Sequence, residues 1–242
     1  MRAGEDDEVD EIIRGDTRLP DQYDIRKEYP ECRAPVHDQK LCGAQWAFAS
    51  AGMLSDRFCI QSKGQIKVDL SAQDMINCSF EDYGCEGGSL VSAVDFLQSE
   101  GTTLTSCNGY KEKLQRCRFR CDRPKRDKYE KYYCKPKTLR IETDVAKMQK
   151  DLLENGPIMM SLLIYDDLLH YKAGIYEWTS GNLTGGHALR AIGWGHDSTG
   201  HLYWIVQNQW GEEWGNSGIG QIKAGQVGID MWSISCMPDI NV

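Results

Sequence analysis

Hydrophobic positions recur along this chain in two different rhythms. From Gln45 to Phe58 small and apolar residues stand at nearly every turn, which predicts a helix buried on most sides. Ser71-Ala72-Gln73-Asp74 places a cap residue three positions before an acid and predicts a second, short helix through Ile76. Gly87-Gly88-Ser89 opens a third over Leu90 to Gln98, and Asp144 to Glu154 reads as one more, stopped by the breaker Asn155-Gly156-Pro157. Beyond that break the runs become strand-like: Ile158 to Leu163, Ala188 to Trp194, Tyr203 to Gln207 and Gly218 to Lys223. Helices first and strands afterwards predict an α+β architecture of two unlike lobes, with any site in the cleft between them.

The chain of 242 residues is long enough for one large domain or two packed halves. No apolar run approaches the roughly 18 residues of a membrane span. A net charge of -8 argues against nucleic acid as the main partner, because phosphate binding needs a basic face. Lys111 to Lys137 is the local exception, with roughly a dozen Lys and Arg outnumbering the acids about three to one. It reads as a solvated loop, with a specific anionic partner as the alternative. Residues 1–18 carry Glu5, Asp6, Asp7, Glu8, Asp10 and Glu11 and read as an acidic tail or the remnant of a pro-segment.

Ten cysteines change the picture more than the charge does. Their spacing lacks the paired C-x2-C knuckles of a zinc site, so the expectation is disulfides, no metal and no cofactor. Disulfides imply an oxidising setting: the secretory pathway, a lysosome-like compartment or the outside of the cell. Against this, Met1 is not followed by the basic segment and apolar core of a signal peptide. Removal of a leader and absence of export are both open. Asn77-Cys78-Ser79 and Asn182-Leu183-Thr184 fit the glycosylation sequon.

Four stretches in a fixed order carry candidate chemistry. Gln39-Lys40-Leu41-Cys42-Gly43-Ala44-Gln45-Trp46 resembles the segment of papain-type cysteine peptidases in which a glutamine precedes C-G-[SA]-C-[WY]. Cys85-Glu86-Gly87-Gly88 is similar to the C-N-G-G of that family. Gly185-Gly186-His187-Ala188 and Gln207-Asn208-Gln209-Trp210-Gly211 resemble the segments bearing its histidine and asparagine, and Leu19-Pro20-Asp21-Gln22-Tyr23-Asp24-Ile25-Arg26 resembles the mature start. The similarity runs from about Leu19 to Pro238. It implies a papain-like two-lobed fold over 19–238, with a helical lobe at about 30–120 and a β-barrel-like, strand-rich lobe at about 121–238 plus the opening stretch.

By that resemblance Gln39 would donate its side-chain amide to an oxyanion, His187 would move the proton, Asn208 would fix its tautomer and Trp210 would shield their hydrogen bond. Gly87 and Gly88 would leave room for a peptide backbone. The nucleophilic cysteine, however, is replaced by Gln45, whose carboxamide neither ionises near neutral pH nor forms an acyl-enzyme. The Gln45 amide is expected to hydrogen-bond His187 and fill the site. The cathepsin B branch is the nearer likeness, and it implies Cys32-Cys59, Cys42-Cys85, Cys78-Cys117 and Cys107-Cys121. Cys134 and Cys236 have no counterpart there. Because they would begin and end the strand-rich lobe, they are expected to bridge, with buried free thiols as the alternative.

Two further departures stand out. The His-bearing insertion of cathepsin B is missing between Cys107 and Cys117, and in Gly228-Ile229-Asp230-Met231-Trp232 an indole stands where G-I-E-S-E has its second acid, at the bottom of the pocket for the residue before the scissile one. The resulting expectation is a catalytically inactive cathepsin B-like homologue kept for binding. It would meet a peptide or protein through the cleft or outer surface, as a scaffold or as a subunit of a larger complex. The alternative is a cysteine endopeptidase with its nucleophile mutated at position 45.

Overall fold

The structure is a computed structural model that describes residues 19–241; the acidic stretch over 1–18 lies outside them. After the two-residue strand β1 (Tyr23–Asp24) comes a helical turn, α1 (Ile25–Glu28), capped by Asp24, whose carboxylate accepts from Arg26 N. The long helix α2 (Gln45–Gln61) follows, then α3 (Ala72–Cys78) and α4 (Leu90–Ser99). Ser71 caps α3 by accepting from Asp74 N at 3.0 Å, and Ser89 caps α4 by accepting from Val91 N at 3.2 Å, so the hydroxyls expected at these starts satisfy amides that a helix leaves open. Every residue of α2 from Trp46 to Ile60 is buried, as its unbroken small and apolar pattern requires.

The strand-rich half contains β2 (Arg140–Glu142), α5 (Val145–Asn155), β3 (Ile158–Tyr165), the short α6 (Asp166–Leu169), β4 (Ile175–Tyr176), β5 (Leu183–His196), β6 (Leu202–Gln207), β7 (Ile219–Lys223) and β8 (Ser233–Ser235). These strands pair in the order β2-β8-β3-β5-β6-β7-β4, with β1 added to β5 through Tyr23 opposite Trp194. All pairings but β4 with β7 are antiparallel. The central β5 begins five residues before the apolar run that signalled it, because its start pairs with β3 across the open side of the molecule, where Leu183 and Thr184 are exposed.

Two cores result. One gathers α2, α3 and α4 around Trp46, Phe58, Met75 and Leu97; the other lies on the sheet around Trp194, Trp204, Met160 and Ile222. Five disulfides pair all ten cysteines: Cys32-Cys59, Cys42-Cys85, Cys78-Cys117, Cys107-Cys121 and Cys134-Cys236. The last does not close the strand-rich lobe on itself. Both of its cysteines are buried in the helical core, where Cys134 N donates to Leu97 O, so it ties the C-terminal strand to the opposite lobe.

Part of the basic stretch is used internally. Lys131 Nζ reaches Asp74 Oδ2 at 2.6 Å, Lys111 pairs with Asp122, and Arg123 pairs with Asp127. Among the described residues no helix is long and apolar enough to cross a membrane.

Candidate active site

The site lies where α2 begins and β5 passes. Gln45 is the first residue of α2, whose N-cap Ala44 supplies no side-chain hydrogen bond. The loop before it is clamped by the Cys42-Cys85 bridge and by Gly43 N donating to Cys85 O at 2.7 Å. A Cβ on Gly43 would stand 2.6 Å from that carbonyl oxygen, so the C-G pair is a packing requirement of the loop.

Gln39 enters from the same loop. Its backbone N–H donates to Gln209 O at 2.9 Å, and its carbonyl accepts from Tyr110 Oη at 2.6 Å. The side-chain Nε2 donates to Cys42 O at 2.9 Å and makes a longer 3.4 Å contact with Gln45 Oε1. Gln45 therefore turns its carboxamide oxygen toward Gln39 and forms no hydrogen bond with His187, contrary to the expectation from sequence. The reason is chemical: a carboxamide oxygen at the start of α2 meets the N–H donor on Gln39, while His187 Nε2 already meets Asn208 and Gln209 just after β6.

His187 is buried on β5, and Nε2 lies 2.8 Å from Asn208 Oδ1. Trp210 covers the pair, its ring centroid 4.5 Å from that of His187, and Trp214 meets Trp210 edge-on at 5.6 Å. Burial pushes the His187 imidazole down to about 4, opposed in part by the Asn208 hydrogen bond. Asn208 Nδ2 and Gln39 Oε1 are buried without a hydrogen-bond partner among the described residues.

The structure thus brings Gln39, Gln45, His187, Asn208 and Trp210 together. Gly87 and Gly88 border the same loop for different reasons. Gly87 has φ +117°, and a Cβ there would meet nothing, consistent with open space over it. Gly88 faces inward instead: a Cβ would sit 2.6 Å from Asp82 Oδ1 and 2.7 Å from the Trp46 ring, so its missing side chain serves the fold rather than a ligand. Trp232 is half-buried against the helical core that also holds Met159 and Ala188, while its neighbour Met231 is exposed.

Sequence reasoning missed Gln209, whose side chain reaches His187, and the ion pair that joins α2 to β5 near the site. Arg190, three residues after His187, donates from Nη1 to Asp56 Oδ2 of α2 at 2.6 Å. The signal was present in Asp56-Arg57, two charges inside an otherwise apolar helix, since buried charges demand partners. Arg57 finds its own in Asp151 at 2.9 Å and in the carbonyls of Gly156, Pro157 and Cys236.

The sequence profile of papain family cysteine proteases matches residues 19–237. The chain belongs to that family. As a papain-family chain it is 35% identical over 252 residues to cathepsin B-like cysteine proteinase 1 of Ostertagia ostertagi, covering 91% of this chain and 73% of the relative. It is likewise 35% identical to cathepsin B-like CP2 of Giardia intestinalis, covering 83% and 67%. Among solved structures it superposes on proCathepsin B S9 from Trypanosoma congolense with a TM-score of 0.85 at 27% identity, covering 99% of this chain and 82% of that one. The bromelain protease from Ananas comosus, in complex with the E64 inhibitor, matches with a TM-score of 0.75 at 27% identity, over 90% and 99% of the two chains. The two-lobed papain-like fold follows from these likenesses, and the five disulfides together with cathepsin-like relatives point to a secretory or lysosomal route.

Proposed function

We propose that this chain is a non-catalytic member of the papain family whose cleft receives a peptide or protein segment without cleaving it, as a scaffold or assembly component. One observation carries the reading: all ten cysteines are in disulfides, so no thiol is left to act beside His187. A carboxamide at position 45 cannot take over, because it neither ionises nor leaves. The Gln39 amide that would serve an oxyanion is turned to Cys42 O and Gln45 Oε1.

A second reading, a peptidase whose nucleophile alone has been replaced, draws support from the intact His187–Asn208 pair and from relatives that carry the name cysteine proteinase. Treatment with an E64-type epoxide, followed by intact mass and by hydrolysis of a fluorogenic peptide, tests the first. No adduct and no turnover are expected for the natural chain, and either one overturns the reading. Gln45→Cys addresses the second: brisk turnover in that variant supports it, and an inert variant removes it.

A further inference from the structure

Gln209 occupies a place that the catalytic resemblance does not explain. Its side-chain Nε2 donates to Ala188 O at 2.6 Å and lies 3.2 Å from His187 Nε2. The carbonyl acceptor identifies the Gln209 atom as the NH2 group, because an amide oxygen there would face another oxygen. Asn208 is pinned in the same way. Its Oδ1 accepts the backbone N–H of Gln209 at 2.9 Å, so oxygen, and not NH2, faces His187 Nε2 at 2.8 Å. An acceptor at that distance requires the proton on Nε2.

His187 Nε2–H therefore points at the Asn208 oxygen while a second N–H group crowds the same nitrogen. The positive end of that NH2 dipole disfavours added positive charge on the ring. Protonating Nδ1 would raise that charge on a buried ring with no carboxylate paired to it among the described residues. The charged groups on the surrounding elements are engaged elsewhere: Asp38 with Lys40, Arg190 with Asp56, and Arg57 with Asp151, while Glu212 and Glu213 are exposed and β3 offers no charge where it pairs with β5 beside His187.

We propose that Gln209 is a positioning residue that holds His187 as the neutral imidazole, with its proton on Nε2 and a lone pair on Nδ1, so that the site has lost its capacity for a thiolate–imidazolium pair as well as its nucleophile. Burial lowers the basicity of His187 in the same direction, apart from any contribution of Gln209. The inference rests on the non-catalytic reading and deepens it: the histidine offers a hydrogen-bond acceptor to whatever enters the cleft, not a proton store.

The test compares Gln45→Cys with Gln45→Cys/Gln209→Met, in which a thioether of similar length cannot donate. Iodoacetamide alkylation of the new thiol is followed by intact mass across the pH range. A thiolate paired with an imidazolium reacts well below the ordinary cysteine value of about 8.5, and one without it does not. The single variant is expected to alkylate with a midpoint near that ordinary value, and the double variant at least about one pH unit lower, or roughly tenfold faster under acidic conditions. Equal midpoints, or a single variant already reactive near about pH 5, overturn the proposal.

Nitrogen-15 histidine spectra of the natural chain, with His187→Gln for assignment, give a second reading that requires no engineered thiol. The Nε2–H neutral form should persist through mild acid, and titration near the usual histidine value of about 6.5 overturns the proposal. Either failure leaves the non-catalytic reading in place, since that reading falls only to turnover or an epoxide adduct on the natural chain.

Discussion

Arg190 Nη1 and Asp56 Oδ2 lie 2.6 Å apart in the interior, fastening β5 to α2 three residues beyond His187 and eleven residues beyond Gln45. The same carboxylate accepts from Ala34 N at 2.5 Å, and Gly52 lies against the Arg190 guanidinium, where a Cβ would sit 2.6 Å from its central carbon. A buried pair that takes no part in chemistry therefore helps fasten the helix that begins at position 45 to the strand that bears His187. This frame fastens α2 to β5 whatever residue stands at position 45.

Removing the arginine tests that frame. Arg190→Leu leaves Asp56 buried with one remaining backbone donor, and breaking a buried pair in this way costs about 3–5 kcal/mol. Urea unfolding should show the loss, and Asp56→Asn/Arg190→Leu should recover part of it.

Gly52→Ala is expected to push the guanidinium off Asp56 from the other side. Overpacking of this kind costs about 1–3 kcal/mol. A double-mutant cycle with Arg190→Leu should show that the cost of the alanine largely vanishes once the arginine is absent.

The Cys134-Cys236 bridge spans a sequence separation of 102 residues and joins the C-terminal strand to the helical core. Losing a native bridge costs about 2–5 kcal/mol, the upper part applying to long loops. Cys134→Ala/Cys236→Ala should lower the thermal midpoint more than Cys107→Ala/Cys121→Ala, whose separation is 14 residues.

His187 also gives stability a pH dependence. Burial lowers it to about 4 from the usual 6.5. Between those values the unfolded chain binds a proton that the folded chain does not, so stability falls as pH drops through the window and is unaffected by this group above it. The full effect is about 3 kcal/mol, since each tenfold change in proton affinity is worth about 1.4 kcal/mol. Urea midpoints near neutrality and near about pH 4.5 should differ less for His187→Gln than for the natural chain.

The helix starts were legible because they depend on local chemistry: Ser71, Ser89 and Asp144 each accept a backbone N–H within their own turn, and Gly156 ends α5 with φ +99°. The motif residues Gln39, His187, Asn208 and Trp210 were legible through the resemblance of their segments to the papain family, by type and order. What Gln45 would do could not be read this way. Its partner depends on which donor stands within reach, and that is Gln39 from the neighbouring loop, not His187 from β5. Gln209 gave no local sign because its meaning lies in a through-space contact with a residue 22 positions away.

By itself the sequence determined the α+β class through its periodicity, the resemblance to the papain family through its ordered motifs, and the presence of Gln45 where that family has its cysteine. Only the tertiary structure decided that Gln45 turns to Gln39, that Gly88 is required by Trp46, that Cys134-Cys236 joins the two lobes and that Asp56 and Arg190 join α2 to β5. Each of these depends on contacts between segments far apart in the chain, and such contacts are chosen by how the whole chain packs rather than by any stretch of it.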